Sequence, residues 1–200
     1  MLAEAILLSI LVGLIRRGNI KNLDRIPLRY IYVFGISVGI YALVETVGAR
    51  HGSAEIVHLA RLANLVQYVG LLVAICLNIK SIPEMWIVCA GTLCNFLAVA
   101  TNGGVMPISV SAAKTVGISR IFTSVGAAHM VRHAPMSSAS NFKLLSDVIP
   151  IGPFHFLPDT LAILLEKVAS VGDIVVALAV FILIQRYMTM KEKIVESTAA

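Results

Sequence analysis

Charge is what this chain has least of. Only 14% of its 200 residues are charged, whereas 58% are hydrophobic and the mean hydropathy is +0.89. A soluble domain normally carries about a quarter charged residues. The composition therefore belongs in a membrane, and it excludes a separate soluble catalytic domain: the length leaves room for about five spans and one substantial loop.

Cysteine is scarce as well. Cys76, Cys89 and Cys94 all fall inside apolar runs and form no CxxC pair, so neither a disulfide framework nor a cysteine zinc site is expected. A zinc peptidase of the His-Glu-x-x-His type is excluded, because Met130 stands where the glutamate belongs between His129 and His133. The chain also lacks internal repeats and any broken helix pair that would mark a midplane site, which argues against a carrier or channel. No motif implies a cofactor.

What is present is a series of apolar runs near membrane length: Met1–Ile15, Tyr30–Val47, Leu62–Ile79, Met85–Thr101 and Ile174–Met188. A helix needs about 20 apolar residues to cross a core of roughly 30 Å, so the first and last runs must borrow flanking residues or thin the bilayer locally. Arg16 and Arg17 follow the first run instead of preceding it. That polarity is the reverse of a signal peptide and suits an uncleaved anchor with its N-terminus outside.

The first connection holds Arg16, Arg17, Lys21, Arg25 and Arg29 against Asp24 alone, which makes it cytoplasmic by the positive-inside rule. Alternation then predicts an all-α integral membrane protein with five transmembrane helices, N-terminus outside and C-terminus cytoplasmic. A long, partly helical outer segment, 102–173, would lie between spans four and five. The net charge of +5 follows from this topology: nine of the 16 basic residues, counting Lys80, Arg186, Lys191 and Lys193 with those above, face the anionic inner leaflet. Nucleic-acid binding, which needs a basic surface with stacking or base-reading groups, is not expected. The expected partner is membrane lipid.

The topology also sets which polar groups can meet. Glu45, His58, Arg61, Asn102 and Asp173 all fall near the outer interface. At about 100° per residue, His58, Arg61, Asn64 and Tyr68 share one arc of the third helix, a polar stripe that should face the bundle interior. Glu45 is the natural partner of Arg61. The bland reading is interhelical glue; the functional one is the floor of an outward-facing pocket. Asn95, Ala90, Gly91 and Ala98 read as packing devices, and Gly35 and Gly39 have small-xxx-small spacing.

In the outer segment, Asn102-Gly103-Gly104 is a turn signal whose glycines either end the fourth helix or offer backbone N–H groups to a ligand oxygen. Ser109–Val116 reads as a short helix stopped by Gly117, and 118–131 as an amphipathic or re-entrant stretch. His129 and His133, at i and i+4 with Met130 and Met136 nearby, have the spacing of a copper-leaning metal pair, but structural or interfacial histidines are the better account. The run with Pro150, Pro153 and Pro158 should be extended and lead into an interfacial helix over Asp159–Ala169, with Asp159 as N-cap. Asp173 in Gly172-Asp173 is a helix-capping acid on the bland reading. On the other it pairs with Asp147 to share a proton and activate water.

These motifs, Asn102-Gly103-Gly104-x-Met106-Pro107, His133-x-x-Met136, Asp147-x-Ile149-Pro150 and Gly172-Asp173 before a last span ending Ile184-Gln185-Arg186, resemble in order those of a bacterial family of small integral membrane proteins classed as domain of unknown function 5317. The opening Met1–Leu23 resembles that family's start. The resemblance implies a bacterial plasma-membrane protein and brings no activity with it. A fainter similarity, of chemistry more than of descent, is to the paired aspartates of lipoprotein signal peptidase. The Asn-Leu-Ile-Asp-Arg motif and four-span layout of that enzyme are missing here.

The expected function is therefore recognition of a lipid, peptide or small molecule at the outer interface, through Asn102, Gly103, Gly104, His133, Asp147 and Asp173 with Arg61 and Glu45 beneath. The rivals are a membrane-embedded hydrolase using Asp147 and Asp173, and a scaffold or accessory subunit of another membrane protein. The oligomeric state is left open.

Overall fold

The computed structural model describes residues 1–51, 54–118, 132–152, 154 and 165–190, with only the backbone described for 41, 44, 45 and 47–51. Helix dominates: α1 (Leu2–Ile15), α2 (Ile31–His51), α3 (Ala54–Asn78), α4 (Met85–Thr101), the short α5 (Val110–Thr115) and α6 (Val171–Met188). Two of these, α3 with 25 residues and α6 with 18, are long and apolar enough to cross a membrane. At 1.5 Å per residue α1 reaches only about 21 Å. The all-α expectation is corrected in the partly helical segment between α4 and α6, which carries two short two-stranded sheets.

The packing order is not the chain order. α6 contacts both α1 and α4, α4 contacts α3, and α3 contacts α2. The last helix thus lies between the first and the fourth. α1 and α6 run parallel, since Ser9 Oγ donates to the Phe181 carbonyl at 3.0 Å and Arg16 donates to Gln185 Oε1 at 3.0 Å. Gln185 Nε2 returns a bond to Ser9 Oγ at 3.1 Å. α4 runs against α6, with Glu84 and Arg186 joined at 2.9 Å at one end and Asn95 and Asp173 at 2.8 Å toward the other.

Glycine sets the spacing of that pair. A Cβ on Gly91 would stand 2.7 Å from the Gly172 carbonyl oxygen, and one on Gly172 would stand 2.5 Å from that of Gly91. Gly35 and Gly39 have nothing within 4 Å of such a Cβ, so the close approach of α2 and α3 falls instead where Gly70 meets Ser37.

Polarity is distributed inside out. Leu7, Leu8, Leu11 and Ile15 of α1, Leu59, Leu62, Val66 and Val73 of α3, and Leu178 of α6 are exposed, whereas Ser9, Asn64, Asn78, Thr92, Asn95 and Gln185 are buried. One end of the bundle is closed by the basic connection. Its turn of 3-10 helix, Ile20–Arg25, folds under α6, where Asn22 Nδ2 donates to the Met190 carbonyl at 3.0 Å and the Asn19 amide to that of Met188 at 2.8 Å. Asn78 holds the Arg29 backbone from both sides, at 2.7 and 2.8 Å. The bond to Met188 satisfies one of the carbonyls that a helix end leaves open.

The other end carries the cap. β1 (Met106–Ile108) pairs in parallel with β2 (His133–Pro135), with Met106 opposite His133, and is bridged on its other side by Asp147. β3 (Ile149–Ile151) pairs antiparallel with β4 (Lys167–Ala169). Helix α5 is capped by Ser109 and followed by Gly117 at φ +73°, and it buries Ala112, Ala113 and Val116 against Ile108 and Val168. The proline run is extended through Ile151. Lys167–Ala169, expected to end an interfacial helix, is a strand, because the extended Pro150 segment offers its backbone an antiparallel partner. Apolar spacing over so short a stretch does not separate the two conformations. Residues 119–131, His129, Pro153, Pro158 and Asp159 lie outside the described residues.

The α4–α6 contact yields a prediction. Gly172→Ala forces the helices apart and should lower the free energy of unfolding by about 1–3 kcal/mol, read as a drop in Tm by thermal denaturation in detergent. Gly35→Ala, with open space around it, should leave Tm unchanged.

Candidate functional site

At the cap end, local rules place the first acid. Ser170 caps α6: its Oγ accepts from the Asp173 amide at 2.9 Å, and Asp173 Oδ2 accepts from the Ser170 amide at 3.2 Å, a reciprocal capping box. Asn95 of α4 clasps this box across the helix interface. Its Nδ2 donates to Asp173 Oδ1 at 2.8 Å and its Oδ1 accepts from Ser170 Oγ at 2.8 Å.

The second acid arrives through the cap. The Asp147 amide donates to the Pro107 carbonyl at 3.0 Å, and the Asp147 carbonyl accepts from the Ser109 amide at 2.8 Å, so both its backbone groups are tied to the β1 segment. Its carboxylate is 5% exposed and lies 3.3 Å from His133 Nε2. Burial pushes the Asp147 carboxyl above its ordinary value; His133 pulls part of the way back, and the charge of Asp173 adds to the push. Burial outweighs the histidine because the imidazole is itself one-third exposed and partly screened.

Asp147 and Asp173 line one cavity of about 190 Å³, with Asn64, Tyr68, Val99, Met106, Arg132 and His133. A second cavity of about 230 Å³ shares Asn64, Tyr68, Arg132 and Asp173, and extends between α3, α4 and α6 past Gln67, Leu71, Thr92, Asn95, Val176 and Ala177 to Met1 and Leu2. The paired walls carry two carboxylates, a guanidinium, an imidazole and several amides. Such a set can hold a polar or zwitterionic group by hydrogen bonds, or pass a proton between its two acids. Among the described residues no group of three or more His, Cys, Asp or Glu could hold a metal ion.

The other expected site residues lie elsewhere. Asn102 is used in a clasp with Asn141: its Oδ1 accepts from the Asn141 amide at 2.9 Å, and its Nδ2 donates to the Asn141 carbonyl at 3.0 Å. Gly103 and Gly104, at φ +69° and +85°, end α4, and the Gly104 amide is taken by the Val99 carbonyl at 2.9 Å. The Gly104 carbonyl accepts from Asn64 Nδ2 at 2.9 Å, and a Cβ there would stand 2.6 Å from the Arg61 carbonyl. The glycine turn is thus a helix stop seated on α3. Arg61 lines neither cavity, and its Nε is buried without a hydrogen-bond partner. The side chain of Glu45 lies outside the described residues.

Arg132, Gln67 and Thr92 were missed by sequence reasoning, and Asn95 was read as packing alone. Two local signals pointed at this wall: the polar arc of the third helix, of which Asn64 and Tyr68 line both cavities, and the Ser170-x-x-Asp173 capping spacing. The fold and site define a mostly helical protein with two membrane-length apolar helices and a small strand-bearing cap over a polar cavity. The chain belongs to a family of unknown function (DUF5317), whose profile matches residues 25–185. No curated protein and no solved structure matches it.

Two outcomes follow from this geometry. Asn95→Ala strips partners from a buried hydroxyl and a carboxylate, and should cost about 1–3 kcal/mol of stability. For Asp147, a raised folded pKa means that the native state binds the proton more tightly than the unfolded chain. Its contribution to stability is complete below the ordinary value of 3.8 and is lost as pH rises through the raised folded value. Tm should therefore fall over that window in the parent protein, and Asp147→Asn, which cannot ionise, should flatten that part of the Tm-against-pH curve.

Proposed function

We propose that the chain is a five-span protein of the bacterial plasma membrane, N-terminus outside and C-terminus cytoplasmic, whose cap-side cavity recognises a polar group of a lipid, peptide or small molecule. The reading rests above all on Asp147 and Asp173 sharing a cavity wall with His133 and Arg132. Four supports stand beside it. The helices expose leucine and valine while burying asparagine and glutamine, the reverse of a water-soluble bundle. Met85–Thr101 and Leu2–Ile15 add shorter apolar helices to the two of membrane length. The antiparallel and parallel helix pairs suit an alternating path through the bilayer. The basic connection and the cavity lie at opposite ends of α6.

A second reading, a membrane-embedded hydrolase, draws on one specific observation: two aspartates line the same cavity, and one is biased toward its protonated form by burial. In that reading Asp147 supplies a proton to the scissile carbonyl oxygen while Asp173 takes one from the attacking water. A scaffolding role draws on no feature of the site.

Topology is tested by replacing Cys76, Cys89 and Cys94 and introducing single cysteines. Ser138→Cys should react with a membrane-impermeant maleimide in intact cells, and Lys21→Cys only after permeabilisation; the opposite pattern would reject the proposed orientation. Ligand-induced protection of Ser138→Cys or a Tm shift should vanish in Asp147→Asn if the cavity binds. Turnover lost at either Asp→Asn with helix content intact would favour the hydrolase over simple recognition.

A further inference from the structure

A third cavity has a different character. About 340 Å³ in volume, it lies along the contact of α1 and α6 and is walled by Ala5, Leu8, Ile174, Leu178 and Phe181. It shares Met1 and Ala177 with the polar cavity that Asp173 lines. An apolar groove therefore borders a polar chamber. Over its mouth, Glu4 of α1 is ion-paired with Lys167 of β4, which ties the cap to the start of the groove.

The chamber itself is polar: Thr92, only 7% exposed, lines it together with Asn64, Gln67 and Asn95. Hydroxyl and amide groups of this kind can donate to the oxygen atoms of an occupant. Asp147 and Asp173 stand on the adjoining walls together with the Arg132 guanidinium, so the walls carry both signs of charge and complement a zwitterionic headgroup, its ammonium toward the carboxylates, better than a purely anionic one.

We infer that the occupant is a glycerophospholipid with a zwitterionic, ammonium-bearing headgroup. One acyl chain lies in the α1–α6 groove, its ester and phosphate oxygens meet Thr92 and Gln67, and its ammonium reaches Asp173 and Asp147. The inference rests on the proposed recognition at the cap-side cavity and names its ligand. The groove supplies apolar burial for the chain; the chamber supplies the choice of headgroup.

The test uses the full chain, purified in a nonionic detergent and delipidated. It is then exposed to mixed micelles of dioleoyl phosphatidylethanolamine or dioleoyl phosphatidylglycerol, and retained lipid is counted by native mass spectrometry. Phosphatidylethanolamine should be retained about tenfold better. Ala177→Trp, which fills the junction, should reduce retention by at least a similar factor with helix content unchanged; Ala5→Trp serves if that variant does not fold. Equal retention of the two lipids, or full retention by a folded tryptophan variant, overturns the inference. A soluble ligand that protects Ser138→Cys in an Asp147-dependent way while lipid retention ignores Ala177→Trp would remove the lipid and leave the cavity's recognition role standing.

Discussion

The clasp of Asn95 on the Ser170–Asp173 capping box is the contact through which the rest of the site is set. A capping box satisfies two open amides of a helix by itself. Here a third residue, from a helix running the other way, engages both members of the box at 2.8 Å. The start of α6 is thereby fixed against α4, and the glycine pair Gly91 and Gly172 lets the two backbones come near enough for an asparagine to reach. Removing the small residues or the amide would shift Asp173 and change the cavity, which Asn95 itself helps to line.

Around that clasp the helical bundle divides into ends with different duties. One end is occupied with closure: Asn22, Asn78 and the Glu84–Arg186 pair engage helix termini and the basic connection. The other keeps its polar groups in reserve. The Asn102–Asn141 clasp and the glycine turn on α3 brace the cap, which leaves Asp147, His133 and Thr92 facing space and not backbone. Asn102 only braces, whereas Asn64 and Asn95 both brace and line the cavity, so asparagines alike in sequence differ in consequence.

Much of this was legible from local sequence. The apolar runs gave the long helices within a few residues, except that α3 begins at Ala54, eight residues before the apolar run does, because His58 and Arg61 sit comfortably in helix once they face inward or the bundle end. The helix stop at Gly103-Gly104, the Ser109 cap and the acid in the first turn of α6 all follow from short-range chemistry. What escaped was non-local. Three-residue strands carry too little periodicity to announce themselves, so nothing in the sequence foretold that pairing Met106 with His133 would carry Arg132 to the cavity. Thr92 and Gln67 looked like ordinary span residues because only the spatial order of the helices gives their side chains a chamber to face.

That spatial order has a consequence for how the protein comes into being. α6, the last helix of the described chain, lies between α1 and α4 and is the partner of each, through Ser9 on one side and Asn95 on the other. During synthesis the earlier helices must therefore wait, with the Ser9 hydroxyl and the Asn95 amide unsatisfied, until residues 171–188 emerge. Before those residues emerge, no nascent chain has a capped Asp173, a closed groove or a finished cavity. A chain cut short before α6 is therefore not a weaker version of this protein but a set of helices with no site among them.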